Sequence, residues 1–350
     1  MPARAHFSTR FSEDIMSKSR VWTTIDFDRN GVQSDHAYVP YSPDHSAYGM
    51  IPVPMICIKG GDGPTALFIA GNHGDEYEGQ VALLKLAREL AGKSVSGRII
   101  ILPALNRPAV MAGKRNSPLD NGNMNRVFPS RADGGPTEMI AHYVSSVLFP
   151  LADLIIDLHS GGFSLDHLPL ALARPGRTQD ETAAIRKLLA SFAAPVGMVT
   201  TGVGGGAGST LYAAAEAVGI PALTTELGSG VTLSSEGLKI AETGLRRVLR
   251  EYGIVPDYDL PDAAPTILMR SLGPQTSIYA AHAGHFEPSV RPGEVVEAGQ
   301  IAGWLHHLDD VMAEPTELVF NATGMVAWRR FPTLSAPGDG LFGLMAEMDA

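Results

Sequence analysis

Three short apolar runs, at residues 65–70, 98–103 and 151–156, constrain this chain more than any other feature. They are continuous rather than alternating, and each is too short for a buried helix, which marks strands covered on both faces. Between the first two, residues 80–91 carry leucines and alanines at helical spacing, giving a βαβ unit. The alternation continues with helices expected over 136–148, 179–192 and 210–218, and strands over 153–158, 169–173, 196–200 and 221–227. A long amphipathic helix over 234–252 closes the series. These elements predict an α/β fold with a mostly parallel or mixed central sheet flanked by helices.

After that helix the texture changes. Residues 256–265 are acidic and proline-rich, a candidate boundary, and the chain beyond them reads as short strands separated by Pro-Gly and Ala-Gly turns. The expected organisation is an N-terminal extension with strands over 1–50, an α/β catalytic domain over 51–255 and a smaller β-rich domain over 256–350. Residues 292–303 resemble the barrel-sandwich texture of biotinyl and lipoyl carrier modules. A carrier needs an exposed lysine, and there is none from Leu272 onward. The region therefore reads as a lid, a scaffold or an oligomerisation surface. Its histidines, His282, His285, His306 and His307, read as dispersed hydrogen-bonding groups rather than a second metal site.

Composition narrows the ligand class. A formal net charge of -10 disfavours nucleic acid and anionic membranes as partners, and leaves small molecules. The single cysteine, Cys57, sits in an apolar run, where a buried structural thiol is expected. One cysteine fits a reducing compartment, residues 1–20 lack the apolar stretch of a signal peptide, and no run approaches membrane-spanning length, so a cytoplasmic location is expected. Assembly into a homo-oligomer is compatible with all of this.

Chemistry gathers where the apolar runs end. The first strand runs into Gly71, Asn72, His73, Gly74, Asp75 and Glu76, which places a His and a Glu at i and i+3. Imidazole nitrogen and carboxylate oxygen are both zinc ligands, and a catalytic zinc takes three protein ligands while keeping one position open. His159 ends another strand in the same manner and is the candidate third ligand, with Asp157 two residues earlier placed to orient its ring. Glu226 closes a third apolar strand, where a carboxylate is costly unless compensated, and is the candidate acid-base group. The loop over 106–129 carries Arg115, Asp120, Asn125 and Arg126. Guanidinium groups bind carboxylates by paired hydrogen bonds, so a carboxylate-bearing substrate is expected.

Taken in order, Gly71 to Glu76, Asn106-Arg107-Pro108, Asn123 to Pro129, Asp157 to Ser160 and Thr225 to Gly228 resemble the motifs of the succinylglutamate desuccinylase and aspartoacylase family. The resemblance covers about residues 50–330. It implies a zinc carboxypeptidase-like fold and one Zn2+ per chain held by His73, Glu76 and His159. It also implies Glu226 as catalytic carboxylate, and Asn125 and Arg126 as ligands of the substrate carboxylate, with Arg115 as the candidate second arginine. Within the family, the resemblance of residues 22–28 and 115–123 implies an enzyme that removes the acetyl group from an N-acetylated amino acid, with N-α-acetyl-L-2,4-diaminobutyrate of ectoine breakdown as the expected substrate. Aspartoacylases carry Asp-Leu-Asn-Arg where this chain has Asn123-Met124-Asn125-Arg126. That lost charge suits a substrate side chain that is not acidic, and Asp120 is the expected partner for a substrate ammonium. Desuccinylase, aspartoacylase and carboxypeptidase-type activities stand as alternatives, as does a non-catalytic zinc-held binding protein.

Overall fold

The computed structural model describes residues 18–200, 208–229 and 231–348. The elements run β1 (Gly31–Pro40), β2 (Met50–Gly60), β3 (Thr65–Ala70), α1 (Tyr77–Leu90), β4 (Gly97–Leu102), α2 (Arg107–Ala112), α3 (Pro136–Tyr143) and β5 (Leu154–Leu158). They continue with β6 (Leu165–His167), β7 (Leu170–Ala173), α4 (Gln179–Phe192), β8 (Val196–Val199), α5 (Leu211–Ala217), β9 (Ala222–Glu226), α6 (Ser235–Glu251) and β10 (Ile267–Ser271). The C-terminal strands are β11 (Ile278–Tyr279), β12 (Gly284–Pro288), β13 (Val295–Val296), β14 (Ile301–His306), β15 (Thr316–Val319), β16 (Gly324–Arg330), β17 (Leu334–Ser335) and β18 (Gly340–Glu347).

The main sheet has the order β1-β2-β4-β3-β5-β9-β7-β8-β10-β18-β16-β13, with β11 on β18 and β6 on β16. Its centre is parallel from β4 through β3 and β5 to β9, and again from β7 through β8 to β10. Every residue of β3, β4 and β5 is buried, as the continuous apolar runs require. Because side chains alternate along a strand, each run feeds two cores. Leu67, Ile69, Ile100, Leu102 and Ile155 face the layer that includes α3 and α5. Ala66, Phe68, Ile99, Ile101 and Ile156 face α1, α4 and α6 on the other side.

The β-rich C-terminal part divides in two. Strands β10, β18, β16 and β13 extend the main sheet through the parallel pairing of β10 with β8, while β15-β14-β12-β17 form a separate antiparallel sheet. The helix expected over 136–148 is α3 followed by a wider π-turn over Val144–Leu148. Cys57 is fully buried. No helix among the described residues is long and apolar enough to cross a membrane.

Helix starts are set locally. Thr178, Thr210 and Ser234 each accept a backbone N–H of the first turn of α4, α5 and α6 through their hydroxyls, satisfying donors the helix leaves open. At α6 this fixes a close approach: a Cβ at Gly237 would stand 1.6 Å from the Leu227 carbonyl oxygen. Gly237→Ala is expected to lower stability by about 1–3 kcal/mol through overpacking. Urea unfolding measures this, and an unchanged midpoint would show that α6 is not seated as described.

Candidate active site

Strand β3 delivers its polar residues through a tight turn. Gly71 has φ of 74°, open to glycine, and the Gly74 N–H donates to the Lys114 carbonyl at 2.8 Å. A Cβ at Gly74 would lie 2.0 Å from the Ala109 carbonyl oxygen, so this turn packs directly on α2. His73 and Glu76 emerge from it, with Glu76 as the extended residue that precedes α1. His159 follows β5, and its backbone N–H donates to Thr225 Oγ1 of neighbouring β9 at 3.1 Å. Glu226 ends β9 itself. Three strand ends thus meet at one edge of the sheet, where open α/β sheets place their ligands.

Both imidazoles turn the same atom toward Glu76. His73 Nδ1 is 2.7 Å from Oε1, and His159 Nδ1 is 2.8 Å from Oε2. The opposite ring nitrogens are held from behind. His159 Nε2 is 2.9 Å from Asp157 Oδ2, and His73 Nε2 is 3.1 Å from Asn123 Oδ1. The oxygen acceptors behind the rings suit a proton on Nε2, which in a neutral ring leaves the Nδ1 lone pair aimed at the carboxylate. Lone pairs and carboxylate oxygens repel one another unless a proton or a cation stands between them. Burial works against a charged His159, but Asp157 and Glu76 outweigh it and hold its pKa well above the ordinary value. Burial also works against an ionised Glu76, yet His73 and His159 keep its pKa below the usual carboxylate range.

The donor set suits a metal ion. The ligand atoms of buried His73, Glu76 and His159 all lie within 4.8 Å of one another, the sole such group among the described residues. Two imidazole nitrogens and a carboxylate oxygen are the donor types that hold a catalytic zinc. A cation already stands close: Arg115 Nη1 lies 3.3 Å from His73 Nδ1 and 3.6 Å from Glu76 Oε1.

Around this point opens a cavity of about 450 Å³, lined by these residues together with Asn125, Arg126, Tyr212 and Glu226. Glu226 Oε2 is buried with no hydrogen-bond partner. Burial, reinforced by the nearby Glu76 charge, pushes its carboxyl above the usual range. Arg126 stands exposed on the cavity wall, where partial desolvation together with Arg115 lowers its pKa, so two guanidinium groups share a wall that favours an anion. Asn125 accepts the Leu211 N–H at 2.9 Å, which fixes its amide with Nδ2 toward His159.

Of the residues expected in the site from sequence, His73, Glu76, His159, Glu226, Asn125, Arg126 and Arg115 line this one cavity. Asp120 does not. Its carboxylate accepts the Thr137 N–H and hydroxyl, both at 2.8 Å, and so anchors the start of α3. Asp75 turns away too, accepting the Phe163 N–H at 2.8 Å. Several supporting residues had no signal of their own in the sequence. Asn72 donates to Asp157 Oδ1 at 2.7 Å, and Glu78 is buried where it accepts the Ser160 hydroxyl and the Ser234 N–H. Ser160 in turn donates its N–H to Glu76 Oε2 at 3.1 Å.

The profile of the succinylglutamate desuccinylase/aspartoacylase catalytic domain matches residues 62–252. The chain is 38% identical over 331 residues to the N-alpha-acetyl-L-2,4-diaminobutyric acid deacetylase of Halomonas elongata, covering 94% of this chain and 96% of that one. The product-bound ectoine utilization protein EutE (DoeB) of Ruegeria pomeroyi superposes with a TM-score of 0.88 at 38% identity, covering 94% of this chain and 99% of that one. A succinylglutamate desuccinylase/aspartoacylase structure from Rhodobacter sphaeroides superposes with a TM-score of 0.88 at 35% identity, over 94% of this chain and 100% of that one.

The buried relay from Asn72 through Asp157 to His159 generates a prediction. Asp157→Asn should weaken zinc binding by about 10- to 100-fold, the usual effect of losing a group that orients a metal-ligating imidazole. Competition with a chromophoric chelator checks it, and wild-type affinity in the variant would contradict it.

Proposed function

The chain belongs to the succinylglutamate desuccinylase/aspartoacylase family, and from that premise we propose that it is a zinc-dependent deacetylase of N-α-acetyl-L-2,4-diaminobutyrate. The products would be 2,4-diaminobutyrate and acetate, a step of ectoine breakdown. One observation carries the reading: two Nδ1 atoms and a carboxylate converge beside an unpartnered buried carboxylate, in a cavity that also holds two arginines. The names of the relatives, a diaminobutyric acid deacetylase and an ectoine utilization protein, support the choice of substrate.

His73, Glu76 and His159 would hold one Zn2+, which supplies a Lewis acid that makes water acidic and polarises an acyl oxygen. Arg126, with Arg115 beside it, takes the substrate's α-carboxylate in charge-assisted hydrogen bonds, and Asn125 lines the same wall. This anchoring sets the acetyl amide against the strand-end residues and replaces a bimolecular encounter by a positioned one. Glu226 removes the proton from the attacking water, and its raised pKa suits it to hold that proton. It then returns the proton to the nitrogen of the departing diaminobutyrate, without which an amine is a poor leaving group. The low-dielectric surroundings of Glu226 make both transfers local.

A substrate panel tests the assignment. The zinc-loaded protein should hydrolyse N-α-acetyl-L-2,4-diaminobutyrate with kcat/KM at least about tenfold above N-acetylaspartate and N-succinylglutamate, a discrimination within the reach of a few polar contacts. Preference for either acidic substrate would replace the assignment by aspartoacylase or desuccinylase. Glu226→Gln should bind zinc normally and lose about 10²–10⁴-fold in kcat, the range for removing a general acid-base group. Full turnover in that variant would refute the role of Glu226.

A further inference from the structure

We propose that Asn123 is a positioning residue that acts on the metal rather than on the substrate side chain, and that its lack of charge leaves zinc more weakly held and more electrophilic than a carboxylate there would. The inference rests on the zinc reading above. Set against the Asp of aspartoacylases, the uncharged residue at this position reads in the sequence as a match to the substrate side chain. Its surroundings give it a different task.

The amide of Asn123 is committed outside the cavity. The cavity lining includes His73, Asn125 and Arg126 but, among the described residues, not Asn123. Its Oδ1 instead takes two hydrogen bonds at once, from His73 Nε2 at 3.1 Å and from the Asn125 N–H at 3.2 Å. A backbone N–H only donates, so the atom it meets is the amide oxygen and not the amide nitrogen, and His73 Nε2 brings the proton to the other contact. The Asn123 carbonyl accepts the Arg126 N–H at 3.0 Å, closing the short turn over Met124–Arg126. One residue therefore joins a ligand of the metal to the turn that carries Asn125 and Arg126.

The two imidazoles are backed unequally. Behind His159, at 2.9 Å, stands the fully buried carboxylate of Asp157, which Asn72 fixes in turn. Behind His73 stands a neutral amide, although the two rings are buried alike. A carboxylate polarises the N–H of a ligating imidazole and makes the opposite nitrogen a stronger donor; an amide does so less. The low dielectric of a buried site enlarges the difference. Charge count points the same way. The carboxylates of Glu76 and Asp157 already match the two charges of Zn2+, and a third at position 123 would make the group net negative beside the arginines that await the substrate carboxylate.

The test is Asn123→Asp in the full-length protein, an isosteric change that keeps both hydrogen bonds. Competition with a chromophoric chelator should show Zn2+ bound about tenfold more tightly than in wild type, the reverse of the loss that follows removal of a group orienting a metal-ligating imidazole. At the same time kcat should fall, because a more basic imidazole leaves a weaker Lewis acid. The kcat/KM ratio of N-α-acetyl-L-2,4-diaminobutyrate to N-acetylaspartate should stay within about threefold of wild type, since the new charge is spent on the His73 ring. Zinc held no more tightly, an undiminished kcat, or a ratio shifted further than that overturns the inference, and the shifted ratio would return the position to the substrate side chain. Should the variant fold poorly, Asn123→Ala tests the same link from the other side: loss of the shared oxygen should loosen zinc and raise KM together, and a wild-type value of either would overturn it. A wild type that binds no zinc overturns the zinc reading itself, and this inference with it.

Discussion

Two imidazole lone pairs and a carboxylate, held in register by partners behind them, demand a positive charge at the point they share. That demand organises the surroundings. His73 is turned by Asn123, His159 by Asp157, and Asp157 by Asn72, so that Nδ1 of each ring faces Glu76. Ser160 aligns the same carboxylate with its backbone N–H and is itself held by Glu78, which also grips the start of α6. A helix on the far side of the sheet is thereby tied to the geometry of the ligands. The geometry of the His73, Glu76 and His159 group and the seating of α1 and α6 are in this sense one packing problem.

The arginines belong to the same electrostatic pattern. Arg115 sits near the converging donors, and Arg126 shares its wall, so the cavity is a cation-seeking point beside an anion-seeking one. A substrate with a carboxylate on one side of its amide and an acyl group on the other suits that polarity. Glu226 lines the same cavity, and its Oε2 is buried there without a partner.

Much of this was legible in the sequence, because the signals were local. A strand buried on both faces reads as an unbroken apolar run, and the polar residues that end it must lie at the sheet edge; that places His73, Glu76, His159 and Glu226 as candidates, while the roles given to them rest on the family resemblance. Asp157 was legible for the same reason, two residues before His159 on one strand. The supporting residues were not, because their meaning depends on pairings across 80 or more positions, such as Asn72 with Asp157 and Glu78 with Ser160. Asp120 shows the converse. In sequence it is a free acid in a functional loop, but the Thr137 N–H and hydroxyl at the start of α3 claim both of its oxygens. The C-terminal strands were legible as strands, and their pairing with β8 was not, since register between distant segments leaves no trace in composition.

The most direct test of the account is a calorimetric titration of the chelator-stripped protein with Zn2+, carried out in parallel on His159→Ala. One tightly bound ion per wild-type chain is expected, with loss of that tight binding in the variant. Tight binding that survives the substitution, or no binding to the wild type, would contradict it.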